Sequence, residues 1–512
     1  VSLPAWAGAA LAAVLLLPAG AAARPKPQVL HVDCSAKRAG NGSEKRPWNS
    51  LEPAGGVRLR PGGRLLLRRG TVCSGTLAPR GTGTPKKRIT IGAYGRGRPP
   101  RIDATGEDAV LLRDMSYAVL ENLELTNRGD RTTKRRGVHL VAEKTVVRGL
   151  TVQRMYIHHV QGDMSKDGGG SGAIQVDVVG EPQTPVQRYA GLHILYNRIE
   201  EVARSGIFLA VTTDLSRPRA SEPWPEASSG VVIRGNVLSG LDGDGIVPVG
   251  TVGALVERNV VSDGNRVNGS PVSPERGPCS AGIWTFHANN TVIQHNEVFG
   301  MNYQEGDGCD GTGYDIDYDQ DGTVVQFNYS HDNEGGFILL CTDDGPREAH
   351  VRYNLSVDDR FAYHASPCPV RQSELDGIRF YNNTIVAREI RATAPLEIPV
   401  QGSLPLAGDL AFRNNILYAK DPQGEPLPCG DFCSHNLFFN LPPSGTDAVT
   451  GDPLFVDPGR HGQGFGVPDS FRVHARSPAI GAGIAIEGTA PRDFFGNPVR
   501  QSAPSIGFHE RP

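Results

Sequence analysis

VVIRGNVLSG, residues 231–240, is echoed by ALVERNVVSD (254–263), TVIQHNEVFG (291–300), TVVQFNYSHD (323–332), HVRYNLSVDD (350–359), IRFYNNTIVA (378–387) and LAFRNNILYA (410–419). LHILYNRIEE (192–201) belongs to the same series, and VLENLEL (119–125) reads as an early copy. Each copy sets β-branched and apolar residues around an Asn, as a short strand that buries one face would. Successive asparagines, Asn236, Asn259, Asn296, Asn328, Asn354, Asn382 and Asn414, stand 23 to 37 positions apart, so each copy is one strand plus loops of varying length. In a right-handed parallel β-helix, coils stack at the sheet spacing of ~4.8 Å. Aligned Asn amides then bond to one another along the stack, which satisfies groups that are costly to bury. A β-propeller needs four strands per blade and a more regular period. The expected fold is therefore all-β, a parallel β-helix of roughly ten coils with an Asn ladder.

A second strand precedes each copy. It opens on Gly and then alternates: GVHLV (137–141), GIFLA (206–210), GIVPV (245–249), GIWTF (282–286), GYDID (313–317) and GFILL (336–340), with AIQVD (173–177) and AYHAS (362–366) carrying Ala instead. Positions one and three after the Gly are mostly apolar and are expected inside the coil: Ile207 and Leu209, Ile283 and Thr285, Tyr314 and Ile316, Phe337 and Leu339. Positions two and four then face outward, which gives His139, Gln175 with Asp177, Trp284 with Phe286, Asp315 with Asp317, and His364. Aromatic and polar side chains stacked on one ribbon suit a chain of hydroxylated rings. The substrate-binding candidates are thus Trp284, His287, His364, Gln175, Asp177 and His139. Long insertions on both sides of this strand would wall the ribbon, and loops on a rigid scaffold commonly carry function.

Glu305–Gly322, EGDGCDGTGYDIDYDQDG, packs seven acidic residues into the same strand and its turns. Crowded carboxylates raise one another's pKa unless a proton, cation or substrate relieves them. Asp310, Asp315 and Asp317 are the catalytic candidates; Asp319 and Asp321, with Glu305, are turn residues, the first two being candidate Ca ligands.

Residues 1–23 form an uncharged Ala/Leu-rich run ending in small residues, with Arg24 and Lys26 beyond it. It reads as a secretory signal, which gives a secreted, extracellular protein without a membrane span once the signal is removed. The remaining divisions expected are an N-terminal cap and first coils (24–118), the helix with its groove (119–440) and C-terminal coils with a tail (441–512). Net charge is −3, which makes no demand for a nucleic-acid partner, and a monomer is expected. The distribution is uneven: 24 Lys/Arg against 10 Asp/Glu from Arg24 to Arg136 (+14), and 28 against 45 beyond (−17).

Eight cysteines in an exported chain point to disulfides before metal. Cys279 and Cys309 precede the Gly of adjacent coils, and Cys341 and Cys368 follow the strand on the next two, so both pairs fall within bonding reach. Cys34–Cys73 and Cys429–Cys433 follow by elimination.

The segment RPGGRLLLRRGTVCSGTLAPRGTGTPKKRITIGAYG (60–95) resembles the opening coils of secreted pectate-lyase-like β-helix proteins, and GDPLFVDPG, FRVHARSPAIGAG and DFFGNPVR are similar to the tail many of them carry. The DGTGYDID segment (310–317) resembles the catalytic rung of the β-helical lacto-N-biosidase family of glycoside hydrolases, whose activity rests on a pair of Asp. That likeness implies Asp310 and Asp317 as the pair, with Asp315 a sugar-binding or tuning neighbour.

The superfamily holds lyases, hydrolases, esterases, epimerases and adhesins, so fold does not decide chemistry. Glycoside hydrolysis needs two carboxyls, about 5–5.5 Å apart for retention and about 6.5–9.5 Å for inversion. Two residues on one strand face, as Asp315 and Asp317 are, have Cα atoms about 6.6 Å apart. The first expectation is a glycoside hydrolase that needs no cofactor and acts on a poly- or oligosaccharide. A Ca-dependent pectate-type lyase is the alternative: DYDQDG (317–322) starts like a calcium loop, but Asn328 stands where that loop needs Glu. Only three Lys follow Gly137, and an acidic groove repels polyuronate. A non-catalytic glycan-binding or surface protein is the third reading.

Overall fold

A computed structural model describes residue 1 and residues 27–165, 170–179, 187–211, 227–266, 280–303, 310–317, 319–341, 347–366, 377–390, 392–393, 410–427 and 432–511. Strands of the described residues fall into three long parallel sheets of 18, 14 and 10 strands plus a two-stranded one, with a four-residue α-helix, Glu52–Gly55, and a four-residue 3-10 helix, Pro468–Phe471. Every long-sheet pairing is parallel, each strand against its counterpart one coil away, as Val292–Gln294 lies between Leu255–Glu257 and Val324–Gln326. The chain is a right-handed parallel β-helix, and its continuous apolar core is filled by rows such as Ile194, Ile233, Val256, Ile293, Val325 and Val351.

The ladder is present with one correction. Its members are Asn197, Asn236, Asn259, Asn296, Asn328, Asn354, Asn383, Asn415 and Asn436, each Nδ2 donating to the next Oδ1 at 2.8–3.1 Å. Asn382 and Asn414, expected as rungs, instead occupy the preceding turn position with φ of 54° and 56°. The same left-handed residue precedes the other rungs, from Tyr196 (φ 55°) to His435 (φ 56°). Asn tolerates that conformation, so in an Asn-Asn doublet the first residue takes the turn and the second the rung. The freed Asn382 and Asn414 amides donate to the carbonyls of Ser505 and Ile484 in the C-terminal tail.

Each rung also accepts a backbone N–H and donates to a carbonyl one coil back; Asn328 accepts from Asn296 N and donates to Ile293 O, both at 2.9 Å. Asn328→Ala removes all of these at a fully buried site. An unsatisfied buried polar group costs about 1–3 kcal/mol, so chemical denaturation is expected to register a loss of at least about 2 kcal/mol. A loss below about 0.5 kcal/mol would show that the ladder contributes nothing net.

A second correction concerns GFILL. Gly336 pairs with Thr312 and Ile338 with Tyr314, so this strand is slipped by one residue from the Gly-based alignment. Ile338 and Leu340 enter the core, and Leu339 joins the outward row beside Asp315. A one-residue shift reverses every side chain of a strand. Phe337 takes the slot held by glycine in the coils below, buried edge-on to Tyr314. Those glycines answer a close approach: a Cβ on Gly282 would lie 2.3 Å from Val298 Cγ1 and 2.6 Å from Gly313 O.

Cys34 and Cys73 form a disulfide, as expected. Cys433 is disulfide-bonded. The other expected pairings, Cys279–Cys309, Cys341–Cys368 and Cys429 with Cys433, involve residues or side chains outside the described ones, as do the signal segment and Glu305.

Candidate active site

The 10-stranded sheet carries the site. From Asp108–Arg113 through Arg136–Ala142, Gly172–Val178, Ser205–Val211, Ile246–Pro248, Ile283–Thr285, Thr312–Ile316 and Gly336–Cys341 to Tyr363–Ser366, successive strands pair in register. One outward row therefore runs Leu111, His139, Gln175, Phe208, Val247, Trp284, Asp315, Leu339, with the backbone of His364 in register beyond it. Outward does not mean solvated: Gln175 is 1%, Asp315 3% and Trp284 7% exposed. The row is recessed, and its middle forms an apolar cluster separate from the core: Val247, Val249, Ala281 and Trp284, with Phe208 and Phe286 against it.

The aromatic strip ends on the acidic rung. Trp284 and Asp315 are paired residues on neighbouring strands. The Trp284 and Phe286 rings stack at 5.3 Å and 18°. Trp284 Nε1 donates to Asp244 Oδ1 at 2.9 Å. Asp244 is fully buried, and its other oxygen meets the buried Arg204 guanidinium at 2.6 Å. Arg204 also donates to Ser280 Oγ. Trp284 is thus held by a buried ion pair from the two coils beneath it.

Tyr314 and Ile316 are in the core, and Asp315 points the other way, buried, with Asp317 half-buried one residue past the strand. The Asp317 carbonyl accepts from Gln320 Nε2 at 2.7 Å, and Gln320 is held in turn by Thr285 O and by Thr323 Oγ1. Asp310 enters from the other side in a left-handed conformation, φ 42°, followed by Gly311 at φ 72°. Gly311 N donates to Ser280 O, and Gly335 N to Gly311 O. A Cβ on Gly335 would sit 1.9 Å from Asp310 O, so this neighbour has to be glycine. Beneath that turn a second short ladder carries Met301 N to Asn333 Oδ1 and Asn333 Nδ2 to Asp359 Oδ1. Asp359 is wholly enclosed; burial pushes its carboxyl up to about 6 against the hydrogen bonds it accepts.

The other sequence-predicted residues divide into two groups. His287 is buried; its Nδ1 faces the Asp319 carboxylate, and its ring lies 5.2 Å from that of Phe286. Asp321 is paired with Asn289 and faces Arg347. Asp319 and Asp321, expected as Ca ligands, therefore point at an imidazole and a guanidinium. Among the described residues no group of three or more His, Cys, Asp or Glu is arranged to hold a metal ion.

His139, Gln175 and Asp177 lie four to five coils from the acidic rung and engage one another. His139 Nε2 meets Asp177 Oδ2 at 2.8 Å, its Nδ1 meets Asp108 Oδ2 at 3.2 Å, and Gln175 donates to Asp177 Oδ1 at 2.8 Å. Arg136 Nε closes the cluster on Asp108 at 2.6 Å. His364 continues the row beyond Leu339, its side chain being outside the described ones.

Burial opposes a charge on His139, but hydrogen bonds to Asp108 and Asp177 outweigh it and raise the pKa. Burial likewise pushes Asp108 up, and His139 and Arg136 win and lower it. A raised histidine stabilises below its ordinary 6.5 and loses that contribution as pH rises through the folded value. A depressed aspartate stabilises above its ordinary 3.8 and loses its contribution as pH falls through the folded value. The cluster is therefore most stabilising between those two reference values. The melting-temperature advantage of wild type over His139→Gln is expected to be larger at pH 5 than at pH 9, and an equal gap at both would contradict a charged imidazole.

Arg136, Asp108, Arg204 and Asp244 were not among the sequence-predicted residues. The available signal was a charged residue just before a strand-opening Gly, as in RSG (204–206) and DGDG (242–245).

A recessed aromatic strip ending at a rung of carboxylates on the outside of a right-handed parallel β-helix defines the molecule's class. The description "Right handed beta helix region" matches residues 186–385. The lacto-N-biosidase of Bifidobacterium longum subsp. longum is 26% identical over 577 aligned positions that take in 91% of this chain; the chain spans 35% of that relative's length. The crystal structure of the GH136 lacto-N-biosidase of Eubacterium ramulus superposes with a TM-score of 0.61 at 24% identity, over 75% of this chain and 68% of that one. XylC, solved in complex with xylose, gives a TM-score of 0.56 at 13% identity, over 95% and 98% of the two chains. The two structural likenesses speak to fold.

Proposed function

We propose that this is a secreted carbohydrate-active enzyme that hydrolyses glycosidic bonds of an oligo- or polysaccharide by carboxylate chemistry. The observation that carries the reading is the aromatic strip Phe208–Trp284–Phe286 running into Asp315, with Asp317 just past the end of that strand and Asp310 in the turn that enters it. A sugar stacked on Trp284 would present its glycosidic oxygen to that rung. Asp310 and Asp317 are assigned as the acid and the nucleophile or base, and Asp315 as the group that holds a hydroxyl of the bound sugar. The sequence likeness to a lacto-N-biosidase supports hydrolysis over elimination.

The test is product analysis after incubation with a panel of neutral and acidic oligosaccharides. New reducing ends without ultraviolet absorbance are expected. Products with unsaturated uronate ends would replace this reading with a lyase, and binding without turnover on any glycan would leave a binding protein.

A further inference from the structure

The outward ribbon does not end at His139. Beyond it, at the N-terminal end of the 10-stranded sheet, lies a cleft of about 540 Å³ lined by Arg58, Arg80, Leu111, Arg113, Asp114 and Lys144 among others. Leu111 pairs with His139 and Arg113 with Val141, so the cleft sits on the rows that carry the aromatic strip. Leu77 bridges Val110 one coil below, three residues before Arg80 and Arg113 respectively, and Arg80 is in register with Arg58 on the coil beneath. Three arginines thus follow one another up adjacent coils at roughly the sheet spacing of 4.8 Å.

Arg113 is paired with Glu143 at 2.6 Å, and Asp114 uses Oδ1 to accept the backbone N–H groups of Glu143 and Lys144. Neither Arg58 nor Arg80 makes an ion pair among the described residues, and both are exposed. Like charges in register on neighbouring strands repel. A carboxylate or sulfate between them relieves that repulsion, and the planar guanidinium matches such oxyanions in bidentate fashion.

Position then selects the ligand. Six coil spacings separate Leu111 from Asp315, roughly 29 Å at ~4.8 Å each. A uniformly charged polymer spanning that distance would carry its anions over Asp315 and Asp317, on a part of the chain with 28 Lys/Arg against 45 Asp/Glu. A glycan that is neutral along most of its length and anionic at one end meets no such repulsion. We propose that the cleft is a subsite for an anionic sugar, a carboxylate- or sulfate-bearing unit, on a glycan whose neutral part lies along the ribbon. This rests on the reading of the protein as carbohydrate-active but not on its being a hydrolase.

The experiment measures equilibrium binding to the full chain carrying Asp317→Asn, so that turnover plays no part. The probes are a neutral hexasaccharide, the same chain with a terminal glucuronate, and the same chain with a terminal sulfate ester. Either charged form, or both, is expected to bind at least tenfold more tightly than the neutral one, which also tells carboxylate from sulfate. Arg58→Ala with Arg80→Ala is expected to erase that difference, while Arg58→Lys with Arg80→Lys retains part of it; melting temperatures of both doubles establish that they fold. A preference that survives the double alanine variant, or no preference at all, overturns the proposal. So does full competition by millimolar inorganic sulfate without any preference among the glycans, which would assign the cleft to a free anion. Tighter binding of an oligothymidylate than of the charged glycans would assign it to nucleic acid.

Discussion

Asp317→Asn is expected to lower turnover about 10³-fold on whichever oligosaccharide the wild-type protein cleaves, with the melting temperature unchanged. A positioned carboxyl acting on the leaving or attacking oxygen contributes about 10² to 10⁴-fold, and the amide keeps the shape without the proton chemistry. Stability is spared because Asp317 is half-buried, beyond the end of its strand, and is held through its backbone carbonyl by Gln320. Asp310→Asn is expected to lower turnover to a similar extent, its turn being held by the Gly311 and Gly335 backbone contacts. Asp315→Asn should act mainly through substrate affinity. If turnover persists unchanged in both the Asp310 and the Asp317 variants, the rung is not catalytic. A large fall in melting temperature on chelation would instead assign these acids to a structural cation.

The second large effect concerns Arg204 and Asp244, which bear on the site only through Trp284. Removing one partner of a buried ion pair leaves an uncompensated charge and costs about 3–5 kcal/mol, whereas replacing both with apolar groups of similar size is often neutral. Asp244→Ala is therefore expected to destabilise the chain by about 3–5 kcal/mol, and it also removes the carboxylate that accepts from the Trp284 indole N–H. Arg204→Met with Asp244→Leu should recover most of the loss. The recovered double variant is expected to bind glycans more weakly than wild type, because the indole has lost the acceptor that orients it. If the double variant is no more stable than Asp244→Ala, the ion pair is not the reason for the loss; unchanged glycan affinity would deny Asp244 a positioning role.

Much of the architecture was legible because it depends on periodicity. The Asn repeats specified stacking coils, and the alternation after each Gly separated Tyr314 and Ile316, which are buried in the core, from Asp315, which faces outward. Errors arose where two positions satisfied the same rule. IRFYNN and LAFRNN each offer two asparagines, and only the left-handed turn chooses between them. In EGGFILL the choice of glycine fixes the register, and the pairing of Gly336 with Thr312 moved Leu339 to the outside.

The site was legible only as a set of candidates. Outward alternation found His139, Gln175, Asp177 and Trp284, but not that the first three bind one another while Trp284 is anchored from below by Asp244. Gln175 and Asp177 are neighbours on one strand, but His139 and Asp177 lie 38 residues apart and Asp244 and Trp284 lie 40, and these meet only when coils of unequal length stack.

The sequence by itself determined the solenoid, the rows and the face on which carboxylates gather, since these follow from side-chain alternation and from the hydrogen-bonding needs of buried amides. Only the tertiary structure decided which asparagines form the ladder, which residues hold Trp284, and that a cationic cleft lies on the same rows as the acidic rung. Register between coils is set by loops and turns whose lengths differ from coil to coil. Contacts that depend on register are therefore fixed only when the coils stack.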